Sequence, residues 1–236
     1  MSGVVTQFSI TGAMLAGCNS SKLKGGEVIG KNNFGLGTFN NLDGEMLLID
    51  GKIYCCKRNG KAHIVNKDKA HIPFATFSHF NPQKPNIKRE KINFDDFEEK
   101  LKKDNLPKNM VCGIWLEGFF YNLKMRTACK IKANESLLVE EKIQSNFEFK
   151  KIKGIMIGFY FPNYMPSINV PGIHLHFLSD CRTIGGHVIN FSNACFDFNY
   201  QIYDTLKIIF SKTEEFNMKT IDVDPTEALN RVERKR

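Results

Sequence analysis

Half of the six histidines lie in one short stretch, at His174, His176 and His187. In a β-strand, alternate side chains project from the same face and lie about 6.6–7 Å apart along the chain. The imidazoles of His174 and His176, separated by Leu175, can therefore point towards one place. This alternation constrains the fold because it requires an extended strand at this position.

A returning strand is expected to bring His187 beside this pair. The intervening residues, 177–186, have a polar middle and end in Gly185-Gly186, which allows a tight reversal. Three histidines on a rigid sheet leave a tetrahedral Zn²⁺ ion one open coordination position, which is typical of catalytic zinc sites. The spacing predicts a metal site at His174, His176 and His187. The alternative is an ordinary hairpin with two surface histidines and one buried histidine.

Composition indicates a folded protein and restricts its class more than its function. The chain has 236 residues, of which 42% are hydrophobic and twenty are Phe, so it can bury a large core. The net charge of +8 would permit nucleic acid or an acidic membrane as partner, but the lysines are scattered and no nucleic-acid-binding motif occurs. No apolar run approaches the roughly 18 residues of a membrane span. We expect neither partner, whereas the positive field is compatible with an anionic metabolite.

The cysteines favour a reduced, cytoplasmic protein. There are seven of them, an odd number, and none forms a C-x-x-C pair. Cys181 lies in the predicted histidine hairpin, where we interpret it as a turn residue and not as a ligand or nucleophile.

Most other patterns predict strands. Asp50-Gly51 indicates a hairpin turn, and Asn93 begins a helix over 93–101 with Phe94, Phe97 and Leu101 on one face. The N-terminal segment 6–16 is predicted to be a short helix and not a signal peptide, since no basic residue precedes it. Strands are expected over 112–132 and 154–161, with a polar connection over 133–151. The predicted domains are a mixed-sheet domain, 1–132, and a metal-binding domain, 133–236.

Two charged residues stand near the starts or middles of predicted strands, and a third lies in a predicted tail helix. Glu45 follows a glycine-rich turn, and Arg126 lies in a β-prone run. The tail helix begins at Asp224-Pro225, and Glu233 shares its apolar stripe. Taken singly, each of the three could be an ordinary surface charge.

Together with the histidines, these segments resemble the α-acetolactate decarboxylase family. The resemblance runs from about Gln7 to the C-terminus and is carried by GLGTFNNLDGE at 35–45, Arg126-Thr127, GFYFPNY at 158–164, VPGIHLHF at 170–177 and GGHV at 185–188. It implies an α/β (α+β) protein with two domains of mixed β-sheet, the second a partly closed β-barrel, and few helices. It also implies a homodimer.

The resemblance further implies the roles of particular residues. Zn²⁺ is expected on the three histidines, Glu45 and Glu233 as active-site carboxylates, Arg126 as the active-site arginine, and Thr38 beside the substrate pocket. The expected reaction is decarboxylation of 2-acetolactate, a small anionic 2-hydroxy-3-oxo acid, to acetoin and CO₂ through a zinc-stabilised enediolate, as in butanediol metabolism. The competing interpretation is a cupin-like metal-dependent oxygenase or isomerase, because such barrels also carry His-x-His followed by a later His.

Overall fold

The described residues fold mainly into β-strands, which form two sheets. The computed structural model describes residues 3–82, 87–103, 106–132 and 144–221. The predicted sheet-rich architecture with few helices is confirmed.

The first sheet has seven strands in the order β12-β1-β6-β2-β3-β4-β5. Only β1 and β12 pair in parallel; the other pairs are antiparallel, so the sheet is mixed. Its strands are β1 (Val4–Phe8), β2 (Phe34–Thr38), β3 (Glu45–Ile49), β4 (Lys52–Cys56), β5 (Ala62–Val65), β6 (Phe74–Ser78) and β12 (Thr205–Ile209).

The predicted hairpin turn at Asp50-Gly51 is confirmed. It joins β3 to β4, and both residues have positive φ angles, 51° and 73°. Two successive positive φ angles are typical of a type I′ turn, and the twist of this turn matches that of the flanking strands.

The N-terminal helix prediction is wrong in its first half. Residues Val4–Phe8 form a strand, and the helix α1 covers only Thr11–Leu15. Strand β1 inserts between β6 and β12 and buries Val5 and Phe8. In so short a run, apolar spacing does not distinguish a helix from a strand. The segment is a strand because it pairs with β6 on one side and β12 on the other.

The second sheet is antiparallel, in the order β10-β9-β8-β11-β7. Strand β10 also pairs with β11, so four strands close into a ring while β7 stays outside it. This is the partly closed barrel that was expected. Its strands are β7 (Ile87–Ile92), β8 (Val111–Ala128), β9 (Gln144–Phe161), β10 (Gly172–Ser179) and β11 (Gly185–Tyr203).

The polar connection predicted over 133–151 is wrong from Gln144 onward. Residues 144–151 belong to β9 and pair with β8; for example, Phe149 lies opposite Leu123. Their charged side chains are compatible with a strand because an antiparallel sheet can expose one face to water. Residues 133–143 lie outside the described part.

The sheets do not follow the predicted boundary after residue 132. Strands β7 and β8 precede that boundary but belong to the second sheet, whereas β12 follows it and belongs to the first. The last described strand, β12, returns to pair with β1, so the chain crosses between the sheets more than once.

The described helices are short, except for one. They are α1, α2 (Gly25–Ile29), α3 (Phe94–Lys103) and α4 (Glu214–Met218). Helix α3 matches the prediction, since Phe94, Phe97 and Leu101 are buried. In the described ranges, no helix has the length and apolar character needed to span a bilayer. The tail helix predicted from Asp224 lies outside the described residues.

Apolar side chains fill separate layers. The layer between the two sheets includes Leu36 and Leu47 from the first sheet and Ile157 and Leu178 from the second. A second layer, rich in Phe, lies between the second sheet and α3. Strand β10 contributes to both layers.

Candidate active site

Strand β10 presents its histidines to the layer between the sheets. His174, His176 and Leu178 alternate along the strand and therefore share a face. Leu178 packs with residues of the first sheet, whereas Leu175 and Phe177 pack in the Phe-rich layer. The histidine face of β10 is thus the one turned towards the first sheet.

The predicted meeting of the three histidines is confirmed. His187 lies on β11 directly opposite His176. The His187 Nδ1 atom is 3.0 Å from His174 Nε2, which is 3.3 Å from His176 Nε2. One nitrogen from each ring lies within 4.8 Å of the others, and all three side chains are buried. The three residues could hold one metal ion.

The surroundings keep His174 and His176 in the neutral form that binds metals. Burial, with the neighbouring His176 and Arg126, holds the pKa of His174 well below its usual value. Burial likewise lowers the pKa of His176 to about 3, with a further lowering by Arg126, although its hydrogen bond to Met46 acts in the opposite direction. Both rings are therefore neutral at physiological pH, and neutral imidazole is the ligating form.

A backbone carbonyl orients His176. Its Nδ1 atom lies 2.9 Å from the Met46 carbonyl oxygen, which can only accept a hydrogen bond. The proton therefore resides on Nδ1, and the lone pair of Nε2 faces the other two histidines. A hydrogen bond of this kind fixes the tautomer of a metal-binding histidine. The donor set fits a metal ion that prefers nitrogen ligands, such as zinc.

Glu45 and Arg126 lie beside the histidines. Glu45 begins β3, and its Oε2 atom is 3.6 Å from His176 Nε2. Its Oε1 atom accepts a hydrogen bond from the Ala128 amide at 3.0 Å and lies 3.9 Å from Arg126 Nη1. Arg126 is paired with His187 across β8 and β11. Both charged side chains are buried, with 7% and 5% exposure, so the pair is shielded from bulk water.

Thr38 is adjacent to Glu45 and contacts the backbone that precedes it. It lies opposite Glu45 in the β2–β3 ladder, and its hydroxyl donates a hydrogen bond to the Gly44 carbonyl at 2.9 Å. This bond closes the turn that precedes Glu45. In the described contacts, Thr38 therefore holds the backbone that carries the carboxylate.

The turn between β2 and β3 is conformationally restricted. Asn41 and Leu42 have φ angles of 57° and 55°, and Gly44 has 115°. A Cβ at Gly44 would lie 2.7 Å from the Cys56 carbonyl oxygen, so glycine is required there. Sequence reasoning identified an ordinary turn but missed the left-handed conformation of Leu42, which is uncommon for a bulky residue. Such conformations often occur at functional sites.

A profile of the α-acetolactate decarboxylase family matches residues 5–223, nearly the whole chain. The chain belongs to the α-acetolactate decarboxylase family. It is 37% identical to the α-acetolactate decarboxylase of Brevibacillus brevis over 194 residues, covering 81% of this chain and 68% of the relative. It is 36% identical to that of Methylococcus capsulatus over 196 residues, covering 82% and 75%.

Solved structures agree with this membership. The crystal structure of α-acetolactate decarboxylase from Bacillus subtilis strain 168 superposes with a TM-score of 0.92 at 26% identity, covering 98% of this chain and 99% of that one. The two chains therefore share the arrangement of both sheets and not only that of the barrel.

Two further groups at the site escaped the sequence reasoning. The Met46 carbonyl orients His176, and the Ala128 amide holds Glu45. Both are backbone groups, and no residue type signals them. Glu233, the second carboxylate expected from the family resemblance, lies outside the described residues.

Proposed function

We propose that this chain decarboxylates 2-acetolactate to acetoin and CO₂ and that it uses zinc. The observation that carries the proposal is the group of three buried histidines beside the Glu45–Arg126 pair. Membership of the α-acetolactate decarboxylase family supports the choice of substrate.

His174, His176 and His187 would hold the Zn²⁺ ion. When bound, the ion would supply a Lewis acid for the oxygen atoms of the substrate and for the negative charge that remains when CO₂ leaves. The surrounding layer is apolar and closed by the first sheet, which strengthens charge interactions within it.

Arg126 is suited to bind the substrate. Acetolactate carries a carboxylate beside a tertiary hydroxyl and a ketone, and the planar guanidinium can donate two parallel hydrogen bonds to such an anion. The orientation of Arg126 is fixed by its pairing with Glu45 at 3.9 Å and by its position in the β8–β11 ladder. Arg126 would therefore hold the substrate carboxylate in the buried layer until CO₂ departs.

Glu45 is placed to move a proton. After loss of CO₂, the carbon that carried it must receive one, and a carboxyl group can deliver it within hydrogen-bond reach. The Ala128 amide holds Oε1, which leaves Oε2 directed at the histidines. We propose Glu233 as the second active-site carboxylate and Thr38 as a residue that borders the bound substrate.

We propose a cytoplasmic homodimer that acts in acetoin and butanediol formation and has no nucleic-acid partner. Sedimentation at several protein concentrations tests the dimer independently of activity.

A direct assay tests the reaction. The zinc-loaded protein is incubated with racemic acetolactate, and acetoin and CO₂ are measured together with oxygen uptake. We expect acetoin and CO₂ in equal amounts without oxygen consumption. No acetoin above the uncatalysed rate would contradict the proposal, and stoichiometric oxygen uptake would favour the oxygenase alternative.

A further inference from the structure

A basic cleft opens next to the candidate site. It has a volume of about 520 Å³, and we call it the approach cleft; its lining residues are Asp43, Lys57, Arg58, Asn59, Lys130 and Ser145. Arg58 and Lys130 are exposed to solvent. None of the six is among the histidines and charged residues of the candidate site.

One side of the approach cleft adjoins Glu45. Asp43 precedes Glu45 by two residues, and Lys57 directly follows Cys56, which lies opposite Glu45 in the β3–β4 ladder. Because a strand advances only about 3.3 Å per residue, both lining residues begin within about 7 Å of the carboxylate's own backbone.

The other side adjoins Arg126. Lys130 follows Ala128, the residue whose amide binds Glu45, by two positions. Ser145 lies opposite Thr127 in the β8–β9 ladder, next to Arg126. The strands that supply Glu45 and Arg126 thus both end at the approach cleft.

The approach cleft has a positive field. Three cationic side chains line it against one carboxylate, and that carboxylate is bound by Lys57, whose Nζ atom lies 2.8 Å from Asp43 Oδ2 and 2.9 Å from its backbone carbonyl oxygen. Arg58 and Lys130 therefore dominate the potential. Exposed charges contribute little to affinity, but a cleft lined by one sign of charge accelerates the arrival of an oppositely charged ligand.

We propose that Arg58 and Lys130 form an electrostatic approach route that steers the anionic substrate to the buried site. The inference rests on the proposed function. Acetolactate is an anion, whereas acetoin is neutral, so the field attracts the substrate and does not retain the product. These residues would govern the rate of substrate capture and not the chemical step.

The test compares the Arg58→Gln/Lys130→Gln variant with wild type at low and high salt. The control is Lys207→Gln/Lys212→Gln, which removes the same number of exposed cations from β12 and the residues just after it, at the far edge of the first sheet. We expect kcat/KM of the Arg58→Gln/Lys130→Gln variant to fall about 3- to 10-fold near 0.01 M ionic strength, with kcat unchanged. Near 1 M, where the Debye length is only about 3 Å, the difference should vanish. Inhibition by acetoin should be the same in all three proteins.

Two results would overturn the inference. One is a salt dependence of kcat/KM that is the same in the Arg58→Gln/Lys130→Gln variant and in wild type. The other is an equal loss of kcat/KM in Lys207→Gln/Lys212→Gln, which would mean that only the net charge matters. Absence of turnover in zinc-loaded wild type would count against the proposed function itself, and the inference would fall with it.

Discussion

The two faces of β10 differ in character although they belong to one strand. Leu175 and Phe177 point into the Phe-rich layer against α3, where Phe177 meets Phe120 edge to face at 5.8 Å. His174 and His176 point to the opposite side, where polar and charged groups from three other strands converge. Both faces are buried, so burial alone does not distinguish them.

This difference shows how the fold separates stability from chemistry. The Phe-rich layer fixes the position of β10 by packing, and the layer between the sheets then receives imidazoles at fixed positions. A site on a strand locked by packing keeps its geometry without help from the ligand. Changes on one face should therefore alter metal content and turnover, and changes on the other should alter stability.

The largest effect is expected for His174→Ala/His176→Ala. Removing two of three metal ligands should abolish zinc binding and lower turnover at least about 1000-fold, since a metal supplies several kcal/mol of transition-state stabilisation. Elemental analysis and the acetoin assay measure both. His63→Ala, an exposed histidine on β5, is the matched control. Full zinc content in the double variant would place the metal elsewhere.

Glu45→Gln should separate proton transfer from metal binding. We expect zinc to stay at one equivalent while kcat falls about 10²- to 10⁴-fold, because the amide cannot carry the proton. Loss of zinc on this substitution would instead assign Glu45 to the metal ligands.

Glu233→Gln should lower kcat by about 100-fold if the tail supplies the second carboxylate, as general acid–base groups do. Removal of residues 224–236 should give a comparable loss, and Arg231→Ala, on the opposite side of the predicted helix, should be near neutral. Wild-type turnover in Glu233→Gln would refute its role and make Glu227 the next candidate.

Phe177→Ala tests the other face of β10. It should lower the free energy of unfolding by about 3–5 kcal/mol through loss of a fully buried ring, measured by urea denaturation. Zinc content and kcat should remain within a few-fold of wild type below the unfolding transition. Phe119→Ala, on an exposed position of β8, is the control. A loss of zinc as large as that of the histidine variant would show that the two faces are not independent.

The smallest effect on turnover is expected from alkylation of Cys181, which lies in the turn of the histidine hairpin. Hydrogen bonds with Ser179 and Thr183 lower its pKa to about 7, a stabilising context that the sequence did not reveal. The thiolate is the reactive form, so alkylation by iodoacetamide should accelerate with pH, be half-maximal near pH 7 and level off above it. Burial raises the pKa of Cys55 to about 12, so that thiol should react far more slowly.

Alkylation of Cys181 should change turnover less than about two-fold, because the residue is exposed and outside the layer between the sheets. Loss of activity in proportion to labelling, absent from Cys181→Ser, would contradict this placement.

Features that depend on neighbouring residues in the sequence, such as strand faces and tight turns, were predicted correctly. The alternation around Leu175 placed the histidines on one face of a strand, and Asp50-Gly51 marked its hairpin correctly. The approach of Glu45 to His176 was different, since these residues are more than a hundred positions apart and meet only when the sheets stack. The family resemblance, and not spacing, implies that Glu45 belongs to the active site.

The wrong predictions have a related cause. The apolar residues of segment 6–16 fit both periods and so predict a helix where the end of β1 lies. The charged exposed face of Gln144–Lys151 predicts a connection where β9 begins. In each case pairing with a distant strand decides the structure.

Zinc titration of the metal-free protein tests the central claim most directly. Acetoin formation is followed as zinc is added in substoichiometric steps, for wild type and for His174→Ala/His176→Ala. We predict that wild-type turnover rises in proportion to zinc and reaches a plateau at one equivalent per chain, while the variant stays inactive throughout. Full turnover before any zinc is added, or a plateau reached equally by the variant, would contradict the account.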